Sequence, residues 1–387
     1  MPLIIALSLA CFAGAYAIRV IDPIIPELVR SFGVTPAIAA LLASAFSFPY
    51  ALGQPVLGPI ADAAGKALVL KIGLAVMCAC LAVTAMAPSI EVMFVARALG
   101  GLAGGATIPV AMAMIGDRVA YANRQVALSQ LLSAMLMAQF AGLVGTGLIA
   151  SWFGWRIAIA TATGVSALAL IVTVFGLRPR KVQRPRFRVA TLRESYADVF
   201  ANPRAVVCYA AVFVEGLAIF GLLPHVATML EARGAGGIAE AGLVLACMGI
   251  GGLIFTLGVR RLLAQLGGMF NLMRVGGVVA ALGFAGIAIQ ASWPFEAGAF
   301  LLVGLGFYAV HNSLQTLATE LAPEHRGSSV ALHAFFFFLG HAAGPPIYSL
   351  SFATIGQAPT LLLVALTVLV GGFVLAAALR ARSASAE

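Results

Sequence analysis

The sequence predicts an all-α integral membrane protein, with twelve transmembrane helices in two pseudo-symmetric six-helix bundles. Three observations carry that expectation. Of 387 residues, 62% are hydrophobic and only 10% are charged, too few charges to cover a soluble globule of this length. Twelve stretches supply the roughly 20 apolar residues that a helix needs to cross a bilayer. The longest interruption, Arg178 to Arg204, follows the sixth stretch and leaves six on either side.

In chain order the first half holds Leu3 to Leu28, Ala37 to Leu57, Ala67 to Ala87, Ile90 to Ile115, Val126 to Phe153 and Ile157 to Leu177. The second half holds Val206 to Leu230, Ala239 to Leu257, Met269 to Gln290, Phe295 to Leu321, Ser328 to Phe352 and Pro359 to Leu379. We refer to these as spans 1 to 12. Span 1 runs into Asp22-Pro23 with no small-residue cleavage site, so it reads as a retained helix rather than a signal peptide. The expected organisation is a bundle over 1–177, a basic linker over 178–204 and a second bundle over 205–387. Almost no chain is left for a soluble catalytic or sensory domain. All five cysteines (Cys11, Cys78, Cys80, Cys208, Cys247) lie in spans, where they serve as small apolar residues, and no metal cluster is expected.

Within the linker, Thr191-x-x-Glu194 reads as a capping box, with Leu192, Tyr196, Val199 and Phe200 on one face of a short interfacial helix. The competing reading is a solvated basic loop. The net charge of +9 is explained by topology rather than by nucleic acid. With both termini cytoplasmic, eighteen of the 23 Lys and Arg fall on the inner side, eight of them between Arg178 and Arg204. A multi-pass protein of a bacterial-type cytoplasmic membrane follows, its surroundings the lipid bilayer.

The halves match at an offset of 202 residues: Gly14 with Gly216, Gly65 with Gly267, Gly104 with Gly306, Arg124 with Arg326 and Gly142 with Gly344. Parallel six-span repeats with a midplane site between them are an established transporter plan.

Ionisable groups inside spans cost several kcal/mol unless paired or wet, so each is a candidate for function. Arg19, Asp22, Arg97, Glu215 and His311 all sit in spans 1, 4, 7 and 10, away from the helix ends. By rise, Asp22 and Arg97 each lie about 10 Å deep, so a pair joining spans 1 and 4 is expected, either as a fixed tie or as one that opens when Asp22 takes up a proton. Arg19, at i, i+3 from Asp22, pairs with the same carboxylate or faces a cavity and attracts an anionic substrate. Glu215 lies about 15 Å deep with no Lys or Arg in its span, where a carboxyl favours its neutral form and exchanges a proton when water reaches it. A permanently neutral, hydrogen-bonded acid is the alternative.

His311, Asn312 and Gln315 form a polar cluster on span 10 that suits either substrate or helix packing. His341 in span 11 is a candidate proton relay, whereas His333 is expected too near the inner face to take part. Ser47, Tyr50 and Gln54 make one stripe on span 2, again for a cavity wall or for packing. Phosphate-loop, dinucleotide, H-E-x-x-H and G-x-S-x-G signatures are missing, so ATP, cofactors and hydrolase chemistry are not expected.

Gly58-Pro-Ile-Ala-Asp62-Ala-Ala-Gly65-Lys66 resembles the loop signature G-x-x-x-D-R/K-x-G-R/K of the major facilitator superfamily, with Ala63 at the usual basic position. Arg97 to Gly101 is similar to that family's R-x-x-x-G motif, and Asp22 to Pro26 resembles its D-x-x-x-x-P variants, one residue short. Gly147 to Arg156 resembles the corner between helices 5 and 6 of the drug:proton antiporters, without their antiporter proline. The resemblance implies that spans 1, 4, 7 and 10 line a central cavity. It implies a monomeric, non-enzymatic transporter of a small molecule, coupled to protons, with Gly58, Asp62, Gly65 and Lys66 at an inner gate. Efflux of an amphipathic compound is the leading expectation. Uptake of a small anionic metabolite and a non-transporting receptor are its rivals.

Overall fold

The computed structural model describes residues 2–177 and 189–384, all of them in helices or short connections. Residues 178–188, which carry most of the predicted basic linker, lie outside the described residues. Twelve helices are long and apolar enough to cross a membrane. Spans 1 to 6 are Leu3–Phe32, Pro36–Ala64, Lys66–Met86, Ile90–Arg118, Val126–Phe153 and Trp155–Gly176. Spans 7 to 12 are Pro203–Ala232, Ile238–Leu266, Met269–Ala288, Trp293–Ala318, Pro323–Ile355 and Gln357–Ala381. Spans 1, 4 and 7 bury 72%, 56% and 61% of their most apolar windows, against 28%, 33% and 28% for spans 5, 6 and 12.

Glycine and proline set the boundaries. Span 1 ends at Gly33 in the left-handed region (φ 64), and span 2 begins at Pro36 behind Thr35, whose side chain accepts from the Ile38 amide. Asn202 caps span 7 in the same way, accepting from the Arg204 amide ahead of Pro203. Gly154 (φ 81) turns the chain into Trp155, whose indole donates to Ser31 Oγ at 2.9 Å, while Arg156 donates to the carbonyls of Ala85 and Ala87.

The chain divides into two compact units, Met1–Leu192 and Arg193–Glu387. In the first, span 2 packs on span 4, span 3 on spans 4 and 6, and span 1 on spans 5 and 6. The second repeats the scheme, with span 8 on span 10, span 9 on spans 10 and 12, and span 7 on spans 11 and 12. Close approaches repeat too. A Cβ on Gly101 would strike the Phe46 backbone carbonyl, and one on Gly304 would strike that of Met248, so only glycine lets spans 2 and 4, or 8 and 10, come so near.

The linker helix runs Val189–Ala201. Val189 and Ala190 are already helical, so Thr191 is inside the helix and not its cap. Ser195 and Val199 are buried, and Val199 with Tyr196 packs against the core around Tyr209, while Phe200 stays 43% exposed and meets Tyr209 edge on.

Candidate functional site

In the first unit the buried charges are tied down. Arg97 is almost completely buried. Its Nη1 donates to the Ala17 carbonyl at 2.8 Å, its Nε donates to the Leu42 carbonyl at 3.3 Å, and its guanidinium lies 4.2 Å from the Phe46 ring centroid. One side chain of span 4 thus grips spans 1 and 2. The expected Asp22–Arg97 ion pair does not form. Asp22, in a one-turn 3-10 segment ahead of Pro26, is instead paired with Arg19 at 3.4 Å, and Arg19 Nε donates to Gln139 Oε1 on span 5 at 2.7 Å. Arg97 instead directs its bonded donors at two backbone carbonyls.

Two of the stripe residues on span 2 also serve packing. Gln54 Nε2 donates to the Gly105 carbonyl at 3.1 Å, joining spans 2 and 4, and Tyr50 is buried with its ring stacked on Phe46. At the span 2 to span 3 corner, Lys66 bridges Asp62 at 3.0 Å and Asp117, at the end of span 4, at 2.5 Å. Asp117 is the partner that sequence reasoning missed. Gly65, with φ 108, permits the turn, and Gly58 stands open.

The second unit differs. Glu215, immediately before a π-helical segment Gly216–Phe220, is hydrogen-bonded through Oε2 to His311 Nδ1 at 2.7 Å, linking spans 7 and 10. The other carboxylate oxygen, Oε1, is buried without a hydrogen-bond partner among the described residues. Sequence reasoning treated these two residues separately. It also set His333 aside, yet His333 is buried with its ring edge-to-face on His311 at 5.1 Å. His341 is further along span 11, stacked on Phe220 at 4.0 Å and separated from His311 by the Phe337 ring. Asn312 and Gln315 are exposed on span 10, beside Thr316. Unpaired polar side chains in an apolar span are stable facing water, not lipid. Among the described residues, no cluster of His, Cys, Asp and Glu is arranged to hold a metal.

Comparison with known proteins adds the following. Residues 7–345 match the family model described as Major Facilitator Superfamily. The chain is 28% identical to the uncharacterized MFS-type transporter YwfA of Bacillus subtilis, over 97% of this chain and 91% of that protein. It is 25% identical to the multidrug resistance protein MdtG of Salmonella typhi, over 87% and 85% respectively. Among solved structures, the nucleoside transporter NupG superposes with a TM-score of 0.76 at 16% identity, over 98% of this chain and 99% of that one. The human organic anion transporter MFSD10 does so with a TM-score of 0.74 at 18% identity, over 97% and 99%.

Proposed function

This chain belongs to the Major Facilitator Superfamily of membrane transporters, and from that premise we propose that it exports a small amphipathic compound by proton-coupled alternating access, with Glu215 as the proton carrier. The observation that carries the reading is the buried 2.7 Å hydrogen bond between Glu215 and His311. A carboxylate in a membrane interior is costly to leave charged and unpaired. A neutral imidazole beside it gives its proton a destination within one hydrogen bond, so loading and unloading need only local opening to water. Of the other proton candidates, Asp22 is held by Arg19, and His341 is stacked on Phe220 among aromatic rings.

Export is supported by the similarity to MdtG, a multidrug resistance protein, across most of both chains. The two solved neighbours, at 16% and 18% identity, bear on the fold and not on the substrate. Substrate contacts are assigned to the exposed Asn312 and Gln315 of span 10. Uptake of an anion drawn by Arg19 loses its support, since that guanidinium is committed to Asp22 and Gln139.

The test is reconstitution into liposomes containing a pH-sensitive dye, screened with amphipathic drugs and organic anions. Solute-evoked proton movement in wild type that disappears in Glu215→Gln supports the reading. Movement unchanged in the variant removes Glu215 from the mechanism, and binding without movement of any solute points to a receptor.

A further inference from the structure

The second unit contains two sets of buried polar side chains one helical turn apart, Glu215 with His311 and His333, and Ser329 with Tyr209, the latter beside the linker helix. His311 accepts or donates at Glu215 Oε2, and the His333 ring lies against His311. One helical turn before His333, Ser329 shares a 2.9 Å hydrogen bond with Tyr209 Oη on span 7 and donates to the Ala318 carbonyl of span 10 at 2.5 Å. Tyr209 in turn meets Phe200 of the linker helix. Val212, Leu314, Leu317 and Leu332 belong with Tyr209 to one apolar core cluster. Polar groups are expensive in such a setting, and two sets of them between a mid-span carboxyl and one end of the unit call for a purpose.

We propose that His311 and His333 form a two-imidazole relay that carries the proton between Glu215 and the linker-helix end of the second unit. The inference rests on the reading of Glu215 as proton carrier. In the outgoing step the Glu215 O–H bond breaks and its proton goes to the Nδ1 lone pair of His311. His311 gives up its Nε2 proton to the lone pair of a His333 nitrogen, leaving a carboxylate, a neutral His311 and an imidazolium at His333. His333 Nε2 is buried without a hydrogen-bond partner among the described residues, and in the tautomer protonated at Nδ1 its lone pair is the site for the arriving proton. The two rings meet edge to face, with no direct hydrogen bond between them, so transfer needs the His333 ring to turn or a water molecule to bridge.

The titratable neighbours of this pair come from two spans. They are Glu215 and Cys208 on span 7, whose thiol donates to the Leu314 carbonyl, His341 on span 11 behind Phe337, and Tyr209 beside Ser329. Among basic side chains, Arg204 stands one turn before Cys208, close enough to act on it electrostatically.

The experiment follows the carboxyl itself and needs no substrate. Full-length protein in lipid bilayers is subjected to a pH jump while infrared difference spectroscopy tracks the Glu215 carbonyl band, assigned by its loss in Glu215→Gln. The relay predicts that His333→Ala slows proton exchange at Glu215 at least ~10-fold, and that imidazole in the buffer restores the rate. His333→Phe, which fills the space, should be equally slow but not rescued. Unchanged exchange in both folded variants overturns the relay while leaving Glu215 as carrier. A wild-type Glu215 band that never responds to pH overturns the carrier reading and the relay with it.

Discussion

The two six-span units share one packing scheme yet differ in which buried polar groups they carry. In the first unit Arg97 is gripped by two backbone carbonyls and an aromatic ring, and Arg19 by Asp22 and Gln139. These groups join spans 1, 2, 4 and 5 and have little freedom to exchange partners. In the second unit the acid Glu215 and the imidazole of His333 each keep a buried polar atom without a hydrogen-bond partner among the described residues, whereas Arg97 in the first keeps only Nη2 so, beside two bonded nitrogens. At the positions 202 residues before Glu215, Tyr209, Ser329 and His333 stand Ala13, Leu7, Ala127 and Leu131, all buried and apolar. The same architecture thus joins its spans through bonded cations in one copy and, in the other, sets a buried acid–imidazole pair between spans 7 and 10, the pair to which the proposed proton coupling is assigned. Groups with satisfied partners fix register, and groups with spare lone pairs are available for chemistry.

The comparison is open to attack from the frame side first. Arg97→Ala removes two cross-helix hydrogen bonds and leaves a cavity beside Phe46. It should lower stability in detergent by about 3–5 kcal/mol, read from the thermal unfolding midpoint. A loss below ~1 kcal/mol would mean that the first unit is not fastened there. Gly101→Ala and Gly304→Ala probe what the units have in common. Each should cost about 1–3 kcal/mol, because each forces a Cβ onto a backbone carbonyl of the neighbouring span. A large cost at one position alone would break the internal symmetry. Glu215→Gln should shift stability by less than ~1 kcal/mol, since an amide of the same shape keeps a hydrogen bond to His311. The smallest effect is expected at the half-exposed Lys66 corner, where Lys66→Ala should change stability by ~0–1 kcal/mol despite its two acidic partners.

Span number, span order and the repeat were legible in the sequence because hydrophobic length and loop charge are properties of the chain itself. Which side chains meet inside a bundle was not. Equal depth suggested Asp22 with Arg97, but pairing also depends on how each helix is rotated, and Arg97 faces spans 1 and 2 through their carbonyls. His333 was set aside by counting from Ser328, whereas the helix extends back to Arg326 and places it about 10 Å in, level with His311. Two π-helical segments, Ala141–Gly145 and Gly216–Phe220, shift the facing residues beyond them, which no count at i, i+4 anticipates. For Glu215 the sequence did carry a signal, a lone acid mid-span, although its histidine partner on span 10 could only be seen in the fold.

The central claim is that proton coupling resides in the second unit and not in the Arg19–Asp22 pair of the first. Its most direct test measures solute-driven proton flux in liposomes for Glu215→Gln and Asp22→Asn side by side, normalised to folded protein. The account predicts flux lost in Glu215→Gln and retained in Asp22→Asn. Flux retained in Glu215→Gln and lost in folded Asp22→Asn would contradict it.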